Sequence, residues 1–264
     1  MTNHRSVFSR IISIILCMLF LFSLLFPHCK LWADSSALGS DRKHIKNLGG
    51  AIAYTKEQEC KYYDSLSDKE KSVLKQKDIL AARALNEYSE RRILNKSKKS
   101  SRGSLVALSD FYVWPQIYYD YCVPASTATI LYNITNLNYS QPLIFRYTQN
   151  QPHLMPQFIS ERQNVHYYSY ISKWNMANSD NMCARLYSTI AYSGVPVAMC
   201  ISVSNNDNWY YTTGEMDHCL VVYGIYDDFS SIMFGDPVWP YVGCPEYYSF
   251  GKETVYQVCK SLIF

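Results

Sequence analysis

A cysteine immediately before a predicted helix carries the first chemical signal of the chain. Cys122 lies two residues ahead of Pro124, and proline is favoured in the first turn of a helix. The positive end of the helix dipole then faces the thiol and favours its ionised form. Cysteine attacks carbonyl carbons as the thiolate. The sequence therefore predicts that Cys122 is a nucleophile.

His218 is the predicted partner of this thiol. It follows a polar loop and opens an apolar strand, so its imidazole is expected at the rim of a sheet. The other five histidines of the chain lack such a setting. Because histidine titrates near neutral pH, a residue in this position is suited to take a proton from a thiol. We interpret His218 as the general base.

An aspartate and a glutamine complete the predicted site. Asp236 ends the next strand in a Phe-Gly-Asp-Pro segment, where its carboxylate can accept the second N–H of His218 and fix the ring. Gln116 precedes Cys122 by enough loop to fold back over it. Its side-chain amide and the backbone N–H of Cys122 would then form an oxyanion hole.

Each of these residues also has an ordinary structural explanation. A cysteine before a helix is commonly a packing residue, an Asp-Pro pair is commonly a turn, and a histidine at a strand start is commonly a surface residue. Their chain order, with each at the edge of a predicted element, favours catalysis over these separate explanations.

The elements that must position these residues lie in a region beginning near Leu105. Helices are predicted at 124–133 and 181–192, the second ending at Gly194, and strands at 105–108, 195–203, 219–226 and 231–234. Helices followed by an antiparallel sheet predict an α+β fold. Because the chain shows no Gly-rich phosphate loop and no metal-ligand spacing of His and Cys, no cofactor or metal is predicted.

The segment before this region has a different character. Ser67 and Glu70 form a capping box ahead of a helical pattern that runs to about Leu94, and a basic, Ser-rich linker follows to Gly103. Residues 41–104 carry 16 Lys/Arg and 9 Asp/Glu, whereas residues 105–264 carry 6 and 12. The interleaved charges indicate a solvated helix face rather than a nucleic-acid site. We interpret residues 34–104 as a basic helical pro-region or linker that packs on the acidic domain, 105–264.

The first 33 residues are predicted to direct export. Two arginines precede an apolar run over residues 11–26, and cleavage is expected near Ala33. An uncleaved N-terminal anchor is the alternative, and it would be the one membrane contact of the chain. Beyond this segment seven cysteines remain. Outside the cytosol six of them can pair and leave one free thiol, although several can equally be small buried apolar side chains.

The motifs together resemble those of the bacteriocin-processing-like cysteine peptidases (double-glycine leader peptidase-like, family thirty-nine) of the papain-like superfamily. The matching features are Gln116, five residues and Cys122-x-Pro-Ala-Ser; His218 heading a Val-rich strand that ends in Gly; and Gly-Asp236-Pro. The resemblance covers roughly residues 105–240. Val123 and Asp217 stand where the family usually has glycine, which leaves every catalytic group in place and puts the specificity in question.

The resemblance implies a papain-like fold and an exported bacterial enzyme that hydrolyses peptide bonds through an acyl-enzyme. It gives Cys122, His218, Asp236 and Gln116 the roles of nucleophile, base, orienting residue and oxyanion donor. Family members fused to transporters trim leader peptides after paired glycines, whereas this sequence has no ATP-binding motif. Its partner is therefore expected to be a peptide or protein substrate.

Two other functions remain open from the sequence. The same acyl-enzyme can pass its acyl group to an amine, as a transpeptidase or a transglutaminase-like enzyme does. A catalytically silent binding module at the cell surface is the alternative from another class, because the chain has 24 Tyr residues and tyrosine is favoured at interfaces. Product analysis and the reactivity of Cys122 distinguish these functions.

Overall fold

A computed structural model of the chain describes residue 51 and residues 54–96, 103–204, 207, 209–210 and 216–264. The predicted export segment and most of the predicted linker lie outside these residues. Within these ranges, no helix is both long enough and apolar enough to cross a membrane.

Two helices precede the predicted catalytic region: α1 (Lys56–Ser65) and α2 (Asp68–Lys96). The predicted capping box starts α2, because the Ser67 N–H donates to Glu70 Oε2 at 2.8 Å and the Glu70 N–H donates to Ser67 Oγ at 3.3 Å. The helix predicted over 67–94 is therefore confirmed. The sequence pattern did not predict α1, which begins with a second capping box between Thr55 and Gln58.

The other elements alternate short helices with strands. In chain order they are β1 (Leu105–Ala107), α3 (Cys122–Thr135), α4 (Gln141–Thr148), α5 (Met155–Ser160), β2 (Tyr170–Ser172), α6 (Ser179–Tyr187), β3 (Val197–Val203), β4 (Met216–Tyr226), β5 (Ser231–Gly235), α7 (Trp239–Val242), β6 (Tyr247–Gly251), α8 (Lys252–Val258) and β7 (Cys259–Ile263). Each predicted helix and strand has a counterpart here. A π-helical turn, Ser188–Tyr192, continues α6 toward Gly194, whose φ of +67° ends the helix as its position predicted.

The strands form one antiparallel sheet in the order β2-β7-β3-β4-β5-β6, and β1 pairs with β4. The long strand β4 is central, since β3 pairs with residues 216–222, β1 with residues 224–226 and β5 with residues 221–225. Helices packed on an antiparallel sheet confirm the predicted α+β fold. Helix α3 packs on β3 and β4, with every residue from Cys122 to Leu131 buried.

The two N-terminal helices pack closely against residues 105–264, with α2 lying mainly on α6 and the π-helical turn. From α1, the buried carboxylate of Glu59 accepts the backbone N–H of Ser172 at 3.0 Å and the side-chain N–H of Asn175 at 2.7 Å. From α2, the Lys77 ammonium contacts the carbonyl oxygen of Phe264, and Tyr88 stacks on Phe229 with ring centroids 4.3 Å apart. Residues 56–96 therefore contribute buried contacts to the same core.

We expect the change Tyr88→Ala to lower the free energy of unfolding by about 3 kcal/mol, because it deletes a buried aromatic side chain. Tyr88 is 7% exposed, whereas Ile79 on the same helix is 52% exposed. The matched change Ile79→Ala should therefore cost under about 0.5 kcal/mol. Urea unfolding measures both. Equal small losses would mean that Tyr88 of α2 is not packed on Phe229 in solution.

Candidate active site

The first turn of α3 presents Cys122 at its N-terminus. The helix begins at Cys122, two residues earlier than predicted from Pro124, and no side chain caps its start. Proline is tolerated in this turn because the first N–H groups of a helix have no intrahelical partner. The uncapped N–H groups and the positive end of the dipole therefore lie beside the thiol.

His218 and Asp236 meet in the buried interior at the ends of neighbouring strands. His218 is the third residue of β4, and Asp236 directly follows β5. The His218 Nε2 atom lies 2.7 Å from Asp236 Oδ1, and both side chains are inaccessible to solvent. With Nε2 engaged by the carboxylate, Nδ1 is the ring nitrogen that can act on a thiol.

The charges around His218 favour the imidazolium. Burial alone would lower its pKa, but the Asp236 carboxylate and the hydrogen bond and charge of Cys122 raise it more, to about 10. The ring is therefore protonated at neutral pH and lies between two acidic groups. This contact connects all three residues, since Cys122 and Asp236 both act on the same imidazole.

Several donors hold the Asp236 carboxylate in place. The Tyr248 hydroxyl donates to Oδ2 at 2.6 Å, and the Val238 N–H donates to Oδ1 at 3.0 Å. The Cys244 thiol also hydrogen-bonds to Asp236. None of these residues was predicted from the sequence. Tyr248 lies on β6, a strand that was not predicted, and the alternation of large aromatic and small residues from Tyr248 to Gly251 is the signal that would have located it.

Gly235 allows the strand end to approach its neighbours. A Cβ atom added there would lie 2.7 Å from Phe111 Cε1 and 2.8 Å from Val113 Cγ2, closer than real contacts allow. A side chain at this position would therefore displace Asp236, the next residue. The glycine of the Gly-Asp-Pro segment has a steric reason in this fold.

Gln116 is fixed on the opposite side of the aspartate loop. Its backbone N–H donates to the carbonyl of Pro237, the residue after Asp236, at 2.9 Å. Its side-chain Nε2 donates to the Tyr119 carbonyl at 2.8 Å, and its buried Oε1 has no hydrogen-bond partner in the part of the chain that is described. One of the two Nε2 hydrogens is thus used by the loop.

No protein-family model matches the chain, and no curated protein matches it. Among solved structures, xylellain, a cysteine protease from Xylella fastidiosa, is similar at 12% identity over 62% of this chain and 86% of its own, with a TM-score of 0.45. The peptidase domain of Streptococcus ComA, a bifunctional ABC transporter involved in quorum sensing, is similar at 19% identity over 58% of this chain and 96% of its own, with a TM-score of 0.36.

We expect His218→Ala to slow the alkylation of Cys122 by iodoacetamide at pH 7 by at least ~10-fold, because the imidazolium that holds a neighbouring thiol ionised is gone. His153→Ala is the matched control, since the ring contacts of His153 are with Tyr54, Tyr62 and Tyr170. Mass mapping of the labelled peptide measures both rates. Equal alkylation rates in the two variants would mean that His218 does not influence the reactivity of Cys122.

The His218 charge should also appear in the pH dependence of stability. Its pKa is raised in the folded chain to about 10, so its contribution is complete below the unfolded value near 6.5 and disappears as the pH rises through 10. Between pH 7 and 9 the stability advantage over His218→Gln should shrink by on the order of 2 kcal/mol.

The test compares the change in unfolding free energy with pH between the unchanged protein and His218→Gln, because other groups also make stability depend on pH. Burial and the charge of Arg185 lower the pKa of Lys77 to about 7, which raises stability with pH in the opposite sense and equally in both. Urea unfolding at pH 7 and 9 gives the four free energies. Parallel pH dependences in protein and variant would contradict the proposed imidazolium.

Proposed function

We propose that this protein is a cysteine peptidase that cleaves peptide bonds through an acyl-enzyme on Cys122. The observation that carries the proposal is the buried contact of His218 Nε2 with Asp236 at 2.7 Å, in a chain whose Cys122 stands at the start of a helix. Asp236 and Cys122 together raise the pKa of this histidine to about 10 against the opposing effect of burial, which favours the imidazolium. This set of groups supplies a nucleophile, a proton donor and an orienting carboxylate. No further reactive group is needed for amide hydrolysis.

The acylation step uses the charges already in place. The Cys122 thiolate attacks the peptide carbonyl, and the oxygen that becomes negative is stabilised by the N–H of Cys122 and by Gln116 Nε2. The His218 imidazolium then donates its proton to the leaving amine. Asp236 keeps the ring in the orientation that directs this proton at the scissile bond.

Deacylation reverses the role of the histidine. Neutral His218 takes a proton from water, and the resulting hydroxide attacks the thioester. The departing thiolate is again paired with imidazolium, so the cycle closes without net change in the three residues. An amine that reaches the thioester before water would give acyl transfer, and the same groups would serve it.

We further propose that the protein is exported and acts on peptides or proteins outside the cytosol. The support is the N-terminal sequence, in which basic residues precede an apolar run over residues 11–26 and Ala33 follows. N-terminal sequencing of protein recovered outside the cell tests the proposed cleavage. Recovery of all of the protein in the cytosol, with residue 1 retained, would refute export.

A test that assumes no particular substrate is hydrolysis of a mixed peptide library, with the products identified by mass spectrometry. We expect Cys122→Ala to abolish cleavage and Gln116→Ala to lower kcat by about 10²–10³-fold, because an oxyanion donor is lost. Gln157→Ala, an exposed glutamine on α5 that bonds to Glu161, is the matched control and should leave kcat unchanged. Addition of hydroxylamine distinguishes hydrolysis from transfer.

Cleavage that persists in Cys122→Ala would refute the proposal. Absence of any cleavage, together with rapid alkylation of Cys122, would indicate that the library lacks the sequence that the site recognises. Absence of cleavage together with slow alkylation would favour a binding module over an enzyme.

A further inference from the structure

Two buried thiols face each other across strands β3 and β4, behind the nucleophile. Cys200 and Cys219 are direct partners in the antiparallel register, and each is at most 1% exposed. The structure holds the seven cysteines that it describes as free thiols. The proposed mechanism uses Cys122 alone, so this facing pair has no role in it.

The pair has the geometry that a disulfide requires. Direct antiparallel partners have Cα atoms about 4.5–5.5 Å apart, within the range of about 4.4–6.8 Å that disulfides span. Their side chains project to the same face of the sheet. The two thiols are near enough that Cys200 raises the pKa of Cys219. Oxidation therefore needs no change of strand register.

Cys219 also lies near the nucleophile. Its carbonyl oxygen accepts the Ser126 hydroxyl, one turn into α3 from Cys122, at 2.9 Å. Burial raises the pKa of the Cys219 thiol, and its hydrogen bond with Cys200 and the charges of Cys200 and Cys122 raise it further. Cys219 thus has two neighbouring thiols, Cys200 on the adjacent strand β3 and Cys122 at the start of α3.

We propose that Cys200 and Cys219 are an oxidisable dithiol, converted by a small-molecule disulfide into a cross-strand disulfide that keeps Cys219 from pairing with Cys122. In a locally open conformation that exposes the pair, one of the two thiols loses its proton and attacks the small disulfide, forming a mixed disulfide and releasing one small thiolate. The second protein thiol loses its proton and attacks the protein sulfur of this mixed disulfide. The Cys200–Cys219 bond forms, the second small thiol leaves, and two protein hydrogens end on two small thiols.

The bond would matter because Cys122 must remain a free thiol wherever disulfides form. When Cys200 holds Cys219, the neighbour of the nucleophile is no longer available as a resolving thiol. When the pair is reduced and the small disulfide has formed a mixed disulfide on Cys122, the Cys219 thiolate can attack the Cys122 sulfur, release the small thiol and form a Cys122–Cys219 disulfide that stops its chemistry. The protective role rests on the proposed function of Cys122, whereas the disulfide itself rests on the strand register alone.

The test equilibrates the full chain in mixtures of reduced and oxidised glutathione, followed by acid quenching, alkylation and peptide mapping. We expect Cys200–Cys219 to be the first disulfide within the chain, with Cys122 absent from every intrachain disulfide. A first disulfide that contains Cys122, or full labelling of Cys200 and Cys219 in the most oxidising mixture, would overturn the proposal. Because no step of this experiment measures peptidase activity, its result tests the disulfide even if the proposed peptidase function is wrong.

Variants test the protective role. In Cys200→Ser the same oxidation should link Cys219 to Cys122 and remove most Cys122 labelling, whereas Cys183→Ser, which removes another buried thiol, should behave as the unchanged protein. Circular dichroism checks folding, and Cys200→Ala replaces the serine variant if the hydroxyl is not tolerated. Undiminished Cys122 labelling in a folded Cys200 variant after oxidation would refute protection.

Discussion

The buried contact between His218 and Asp236 is the interaction on which the rest of the site depends. Two ionised side chains without solvent cost several kcal/mol each to bury, and only close pairing with additional hydrogen bonds offsets this cost. The chain supplies those bonds through Tyr248 and Val238. The ends of β4, β5 and β6 must therefore keep their places to within a few tenths of an ångström, or the carboxylate loses its partners.

The sheet meets this requirement through its register. β5 pairs with β4 on one side and with β6 on the other, so Gly235 lies opposite both Val221 and Tyr247. Asp236 continues from that point, and its own N–H donates to the Glu246 carbonyl at 2.9 Å. Backbone hydrogen bonds thus fix the position of Asp236 independently of its side-chain contacts. Helix α3 then brings the thiol to the face of the same strands.

Features of this site that depend on neighbouring residues were predicted from the sequence, and features that depend on distant residues were not. The start of α3, the capping box of α2 and the apolar strands β3–β5 are local patterns, and all were predicted from neighbouring residues. The grouping of Cys122, His218 and Asp236 followed from each standing at an element edge. Strands β2, β6 and β7 were missed because their residues are polar or tyrosine-rich, and they become strands only by pairing with distant partners. Tyr248 was lost with β6.

Cys122 and His218 have no surface that solvent can reach. The proposed acyl-enzyme needs a carbonyl within about 3–3.5 Å of the sulfur, so it can form only from an open state in which Cys122 is uncovered. The proposed turnover would then depend on how often the chain visits that open state. If the open state is populated at about 1%, the apparent affinity for substrate falls about 100-fold below its intrinsic value. A binding partner that prefers the open state would act as an activator without contacting the catalytic groups.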